Sequence, residues 1–173
     1  MSIKIILVLI IISCSYLLGE QIGKIYTKRH IQVNELIKIL EIIRMDLSFS
    51  MYTLGEIFEK IGYKNDYSIS SFFSLLSKEL RESTYKTLDE VVNSNIYKLS
   101  EENYLNKKDV DELKSVLITL GKSDIASQQR LIDLSIENFK RTTVETKDDI
   151  EKKGNVYKKL STIIGIMISI ILI

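Results

Sequence analysis

The sequence has no proline and no tryptophan, one cysteine, one histidine and only seven glycines in 173 residues. Each shortage removes a class of explanation. A lone Cys14 and a lone His30 cannot assemble a disulfide framework, a structural zinc site or a cysteine–histidine dyad with its own supporting shell. The chain carries no glycine-rich phosphate loop, no nucleophile elbow and no pair of metal-binding histidines. Charge of one sign is scarce too: 24 Lys plus Arg against 23 Asp plus Glu gives +1, so the basic excess that nucleic-acid binding draws on is missing. The expectation is a protein with no catalytic residues, no cofactor, no metal and no nucleic-acid partner.

What is present is unevenly spread. Residues 5–12 are unbroken Ile, Leu and Val, and the uncharged run continues through Gly19 to Glu20. At a rise of about 1.5 Å per residue this predicts a transmembrane helix over residues 3–19, between Lys4 and Glu20. Residues 160–173 are also uncharged, and Tyr157, Lys158 and Lys159 before them suit an interfacial belt with snorkelling amines. They predict a second transmembrane helix over residues 157–173. Its apolar part reaches about 21 Å, so crossing requires local thinning of the bilayer or inclusion of Tyr157. Lys24, Lys28 and Arg29 follow the first span, Lys152, Lys153, Lys158 and Lys159 precede the second, and only Lys4 lies on the far side. The positive-inside rule therefore puts residues 20–156 in the cytoplasm and both ends outside, as an antiparallel hairpin.

A competing reading takes Ile11-Ile12-Ser13-Cys14 as a lipoprotein cleavage box, which would yield a surface-exposed lipoprotein or helical interaction module cleaved before Cys14. The stretch before Cys14 is short for such a signal, and the apolar run continues past it. A small residue inside a bilayer helix is the simpler reading of Cys14.

The middle reads as all-α, because Leu, Ile, Glu and Lys abound and no alternating run is bounded by hairpin turns. Leu36, Ile37, Leu40, Ile43 and Leu47 recur at helical steps on a helix that can continue from the first span. The helix should weaken over residues 48–53, before a short one with Leu54, Ile57, Phe58 and Ile61 ended by Gly62. Ser70 or Ser71 can cap a helix bearing Phe72, Phe73, Leu75, Leu76 and Leu80, and another carries Leu88, Val91, Val92 and Ile96. After a polar break, Val110, Leu113, Val116, Leu117 and Leu120 lead into Gly121-Lys122-Ser123-Asp124. There Gly121 can take the positive φ that ends a helix, and Ser123 or Asp124 can cap the next. That last helix should turn Ile125, Leu131, Ile132, Ile136 and Phe139 inward, then become a polar stalk beside residues 20–32. His30, among Lys28 and Arg29, reads as a juxtamembrane surface histidine. Asp109, Asp111 and Glu112 suit a helix start, and Asp148, Asp149 and Glu151 mix with Lys147, Lys152 and Lys153 as a solvated face.

Taken in order, these features resemble the stage III sporulation protein AB family of endospore-forming bacteria. The most specific part is Leu120-Gly121-Lys122-Ser123-Asp124 with Gln128 four residues on, similar to the family's leucine-glycine-x-serine-aspartate segment and trailing glutamine. Lys152-Lys153, then Tyr157-Lys158-Lys159-Leu160 running to Gly165, form a second match, and Glu41, Tyr52, Thr53, Leu54 and Glu56 a weaker third. The family commonly has a proline between the threonine and leucine, which this chain lacks. The resemblance implies a non-enzymatic membrane component of the sporulation channel complex joining mother cell and forespore, in the mother-cell membrane that engulfs the forespore. It also implies a helical domain similar to the cytoplasmic domain of the type II secretion inner-membrane platform protein. The implied partners are the membrane and other proteins of the stage III sporulation A operon, above all the ATPase-like AA protein; self-association stays open. Leu120, Gly121, Ser123, Asp124 and Gln128 are the candidate structural or partner-contact motif, and Lys24, Lys28, Arg29, Tyr157, Lys158 and Lys159 the candidate membrane-interface residues.

Overall fold

A computed structural model of the chain describes residues 2–49, 52–82 and 86–172, with side chains from residue 5 to 171 of these. Lys4's side chain and residues 50 and 51 of the expected weak segment lie outside the described residues. Every regular element described is helical: α1 (Ser2–Phe49), α2 (Leu54–Tyr63), α3 (Ser70–Glu82), α4 (Leu88–Asn95), α5 (Tyr97–Glu102), α6 (Lys107–Thr119), α7 (Ile125–Asp149), a π-helical turn (Ile150–Gly154) and α8 (Asn155–Leu172). The chain divides into two compact units. Residues Met1–His30 and Val144–Ile173 form unit 1, and Ile31–Thr143 form unit 2.

Unit 2 has a conventional apolar interior. Leu36, Ile39, Leu40 and Ile43 of α1 are fully buried, as are Leu113 and Leu117 of α6, while Ile132 and Phe139 bring in α7. Phe58 of α2 meets Phe73 of α3 with ring centroids 5.5 Å apart. Helix starts are set by side chains. Thr53, Thr87 and Asn106 each accept the amide three residues on, while Glu56, Glu90 and Asp109 at those positions return a bond to the cap's own N–H. The amide from Thr53 holds the Glu56 carboxyl below its usual pKa, and Asn95 does the same for Glu79. Polar side chains inside the unit are tied down. Gln32 donates to Asn103 Oδ1 at 2.9 Å and accepts the Tyr104 amide at 2.8 Å, and buried Asp46 pairs with Lys60 at 2.9 Å.

Several local expectations change. Gly62 does not end α2: it lies inside the helix, buried, and a Cβ there would stand 2.6 Å from the Ser74 main-chain nitrogen. It is the contact point of α2 on α3. Positive φ falls instead on Asn65. Ser70 is the first residue of α3 rather than its cap; its hydroxyl donates to the Ile61 carbonyl and accepts the Tyr67 amide, stapling the loop. Ile125 and Leu131 point outward, because α7 presents Gln128, Ser135 and Thr142 among its buried positions.

Unit 1 is packed the other way round. On α1, Gly19 is buried and Ser15 and Gly23 are half-buried, whereas Ile5, Ile6, Leu9, Ile10, Leu17 and Leu18 are exposed. On α8, Gly165 and Ser169 are buried and Ser161 half-buried, while Ile163, Ile164, Ile166, Met167 and Ile170 are exposed. The facing residues are small: Ser15 and Gly19 of α1 meet Gly165 and Ser161 of α8, and Gly23 meets Gly154 of the π-helical turn, the arrangement that lets helix backbones approach where apolar surface gains nothing by hiding. Spare hydroxyls are satisfied on the helices themselves: Ser169 donates to the Gly165 carbonyl at 2.8 Å and Thr162 to that of Lys158 at 3.1 Å. Among the described residues, α1 is the helix long and apolar enough to cross a membrane.

Candidate functional site

The corner between α6 and α7 brings the predicted motif together. Leu120, 2% exposed, anchors the corner in the core and its amide bonds the Leu117 carbonyl at 3.3 Å. Gly121 follows at φ +80, a conformation that costs residues with a Cβ about 1–2 kcal/mol. Asp124 is the cap: its Oδ1 accepts the Ser127 amide at 3.0 Å. Hydrogen bonds from the Ser127 hydroxyl and amide hold the Asp124 carboxyl below its usual pKa. Ser123 contributes its carbonyl rather than its hydroxyl, receiving the Gln128 amide nitrogen at 2.6 Å. All five motif residues are thus engaged in, or adjacent to, the same turn.

Two further contacts link this corner to helix N-termini elsewhere in unit 2. Lys122 forms an ion pair with Asp89 in the first turn of α4. A Cβ on Gly121 would lie 3.4 Å from Leu54 Cδ1, at the start of α2. Among the described residues, the buried side-chain oxygens lacking a hydrogen-bond partner are Asp89 Oδ1 and Gln128 Oε1. Such an orphan costs about 1–3 kcal/mol, so its presence calls for a reason. Asp89 has no signal in the sequence as a member of this site, since it stands 33 positions from Lys122.

The candidate interface residues all belong to unit 1. Lys24 pairs with Glu20 at 3.0 Å, Lys158 Nζ lies 5.4 Å from the Tyr16 ring centroid, and Tyr157 stacks on Tyr26 at 6.4 Å. Lys159 is exposed. Arg29 is turned to Asp149 at 3.6 Å, with its side chain only 17% exposed. His30, expected at the surface, is partly buried with Nδ1 2.8 Å from Thr146 Oγ1, because the α7 stalk runs beside it. The expected solvated pairs are present: Lys152 with Asp148 at 2.8 Å and Lys153 with Asp149 at 2.7 Å, each lysine raised in pKa by its carboxylate. Tyr16, Tyr26 and the small residues of the seam escaped the sequence reading, although Ser15, Gly19 and Gly23 at intervals of four were a readable signal.

Among the described residues no cluster of three or more histidine, cysteine or acidic side chains could hold a metal ion. The helices of the described residues, capped and cross-tied, with one long and apolar enough to cross a membrane, define an all-α protein. The chain belongs to the stage III sporulation protein AB family, whose model matches residues 4–173. It is 24% identical over 156 residues to "Stage III sporulation protein AB" of Bacillus subtilis (strain 168), covering 89% of this chain and 90% of that one. No solved structure matches it.

Proposed function

We propose that this protein is a non-enzymatic membrane platform in the sporulation channel complex linking mother cell and forespore, and that its unit 2 docks the complex's cytoplasmic ATPase-like component, stage III sporulation protein AA. Family membership supports the process. The inside-out packing of unit 1 carries the membrane part: in water, exposing so many Ile and Leu side chains around buried glycines and serines would be strongly unfavourable, whereas in lipid it costs little. On this reading both α1 and α8 cross the mother-cell membrane around the forespore, with the intervening chain cytoplasmic. Lys24, Lys158, Lys159 and Tyr157 then sit at the inner interface. Unit 2 takes the part of the cytoplasmic domain of a type II secretion platform protein, and its charged side chains serve caps, cross-helix pairs and docking.

Two measurements test this. Single cysteines at exposed Asp66 and Lys108, in a Cys14→Ser background, should resist an impermeant thiol reagent in intact cells and react after permeabilisation. Labelling in intact cells overturns the topology. A deletion strain should form few spores; normal spore numbers reject the sporulation role.

A further inference from the structure

We infer that the end of the α1–α8 pair beside Glu20 binds the headgroup of an anionic phospholipid, with Lys158 and Lys159 meeting its charge and the Tyr16 hydroxyl donating to its phosphate. This rests on the reading above that α1 and α8 cross the bilayer together, and it names the lipid chemistry that the crossing selects.

The cations of the chain are unevenly spread. Unit 1 holds nine Lys and Arg against five Asp and Glu, whereas unit 2 holds fifteen against eighteen. Four of the unit 1 cations are matched by a carboxylate: Lys24 by Glu20 at 3.0 Å, Lys152 by Asp148 at 2.8 Å, and Arg29 and Lys153 by Asp149 at 3.6 and 2.7 Å. Among the described residues, Lys158 and Lys159, which border the uncharged residues 160–173, have no carboxylate within ion-pair distance. Glu20 feels the Lys158 charge but is already engaged by Lys24, which leaves two positive charges over at this level.

Position decides what answers those charges. Lys158 Nζ lies 5.4 Å from the centroid of the Tyr16 ring, and Tyr16 stands on the apolar side of Glu20, so the ammonium sits at the level of the uncharged run. A charge at that depth without a counterion is costly, and the anions within reach are those of the headgroup layer. Tyr16 is 46% exposed, and its hydroxyl has no hydrogen-bond partner among the described residues. A phenol at a bilayer surface buries its ring among acyl chains and gives its hydroxyl to a polar group. The cation–π contact thus holds a charged donor and a neutral donor together, and a phosphate oxygen satisfies both. A zwitterionic headgroup brings a cation of its own, which adds to the two lysines. A headgroup of net negative charge offsets them.

Were the Lys158–Tyr16 contact only a clasp of α8 on α1, the choice of lipid would not depend on it. The full-length chain would be reconstituted in phosphatidylcholine vesicles carrying a trace of spin-labelled phosphatidylglycerol or spin-labelled phosphatidylcholine. The fraction of label immobilised at the protein would be measured at two salt concentrations, with melting temperatures in detergent alongside. The unaltered chain should hold phosphatidylglycerol in preference, less so at high salt. Lys158→Gln and Lys159→Gln should each reduce the preference by up to about fivefold, and the two together should abolish it. Tyr16→Phe, which keeps the ring, should reduce it without lowering the melting temperature. Lys152→Gln should keep it, because Asp148 already matches that lysine. Equal affinity of the unaltered chain for the two lipids overturns the inference, as does a preference that survives loss of both Lys158 and Lys159. A lower melting temperature in Lys158→Gln with the preference intact overturns it in favour of the clasp, and equal weakening by Lys152→Gln overturns it in favour of a diffuse cationic surface. Ile164→Trp, in a chain with no other tryptophan, separates this inference from the reading beneath it. Fluorescence that brominated lipid does not quench overturns the crossing of α8 and this inference with it, whereas quenching without a phosphatidylglycerol preference overturns this inference alone. Should Lys158→Gln not fold, Lys159→Gln and Tyr16→Phe decide.

Discussion

The Ser161 hydroxyl donates to the main-chain carbonyl of Ser15 at 2.6 Å, joining α8 to α1 across 146 positions of sequence. A side chain on one helix reaches the backbone of the other only when no bulky group intervenes. That closeness depends on the glycines beside it: a Cβ on Gly19 would lie 3.0 Å from Ser161 Cβ, and one on Gly165 only 2.5 Å from Ser15 Cβ.

Gly165→Val should therefore separate α8 from α1, lowering the melting temperature of the full chain in detergent by an amount equivalent to about 1–3 kcal/mol. Ile166→Leu, one position along on the exposed face, should leave it unchanged. Equal effects of the two would mean that the seam is not what pairs the helices.

Gly62→Ala separates propensity from packing. Alanine is the better helix former by about 1 kcal/mol, which by itself predicts stabilisation. Its Cβ would stand 2.6 Å from the Ser74 nitrogen and 2.7 Å from Ser74 Cα, main-chain atoms that cannot swing aside. Net destabilisation of about 1–3 kcal/mol is expected in urea unfolding.

At Gly121 the cause is different. The nearest atom to an added Cβ is the end of the flexible Leu54 side chain at 3.4 Å, so space is sufficient and the penalty comes from φ +80. Gly121→Ala should cost about 1–2 kcal/mol, and Gly121→Asn clearly less, because asparagine tolerates that region. Thermal melting of the two variants side by side gives the comparison.

Asp124 should show a pH signature. Its folded carboxyl lies below the ordinary value of 3.8, so the cap's extra stability is present above that value and is lost as pH falls through the lowered folded pKa. Asp124→Ala should melt earlier at neutral pH. Asp124→Asn should stay close to the unaltered chain there. The advantage of Asp124 over asparagine should vanish in acid, since the amide does not titrate.

Much of this architecture was legible because helix grammar is local. The Leu120-Gly121 ending and the Asp124 start depend on residues within a few positions, and the inward face of α1 on a period of 3.6. Contacts between distant segments were not legible. Nothing near Gly62 announces Ser74, nothing near Lys122 announces Asp89, and Ile125 and Leu131 read as core until neighbouring helices decide which side of α7 is covered. The apolar ends were read from their large residues, whereas packing between the two helices runs through the small ones. Between these two helices the small residues are covered and the large ones exposed, the reverse of the pattern inside unit 2.

The π-helical turn after α7 has a consequence for how this chain can diverge. Thr146 and Gly154 are both buried in unit 1, eight positions apart. In an α-helix, at about 100° per residue, eight steps overshoot two turns by about 80°; the wider turn Ile150–Gly154, closed by the Asn155 amide on the Ile150 carbonyl, takes up the surplus. The helix holds one residue more there than an α-helical path between the same two faces would need. A descendant that lost one of Glu151, Lys152 or Lys153 would close the turn into ordinary helix with Thr146 and Gly154 still in phase, whereas losing one from α7 or α8 rotates everything beyond it by about 100°. Single-residue deletions should accordingly be tolerated at these few positions and not in α7 or α8.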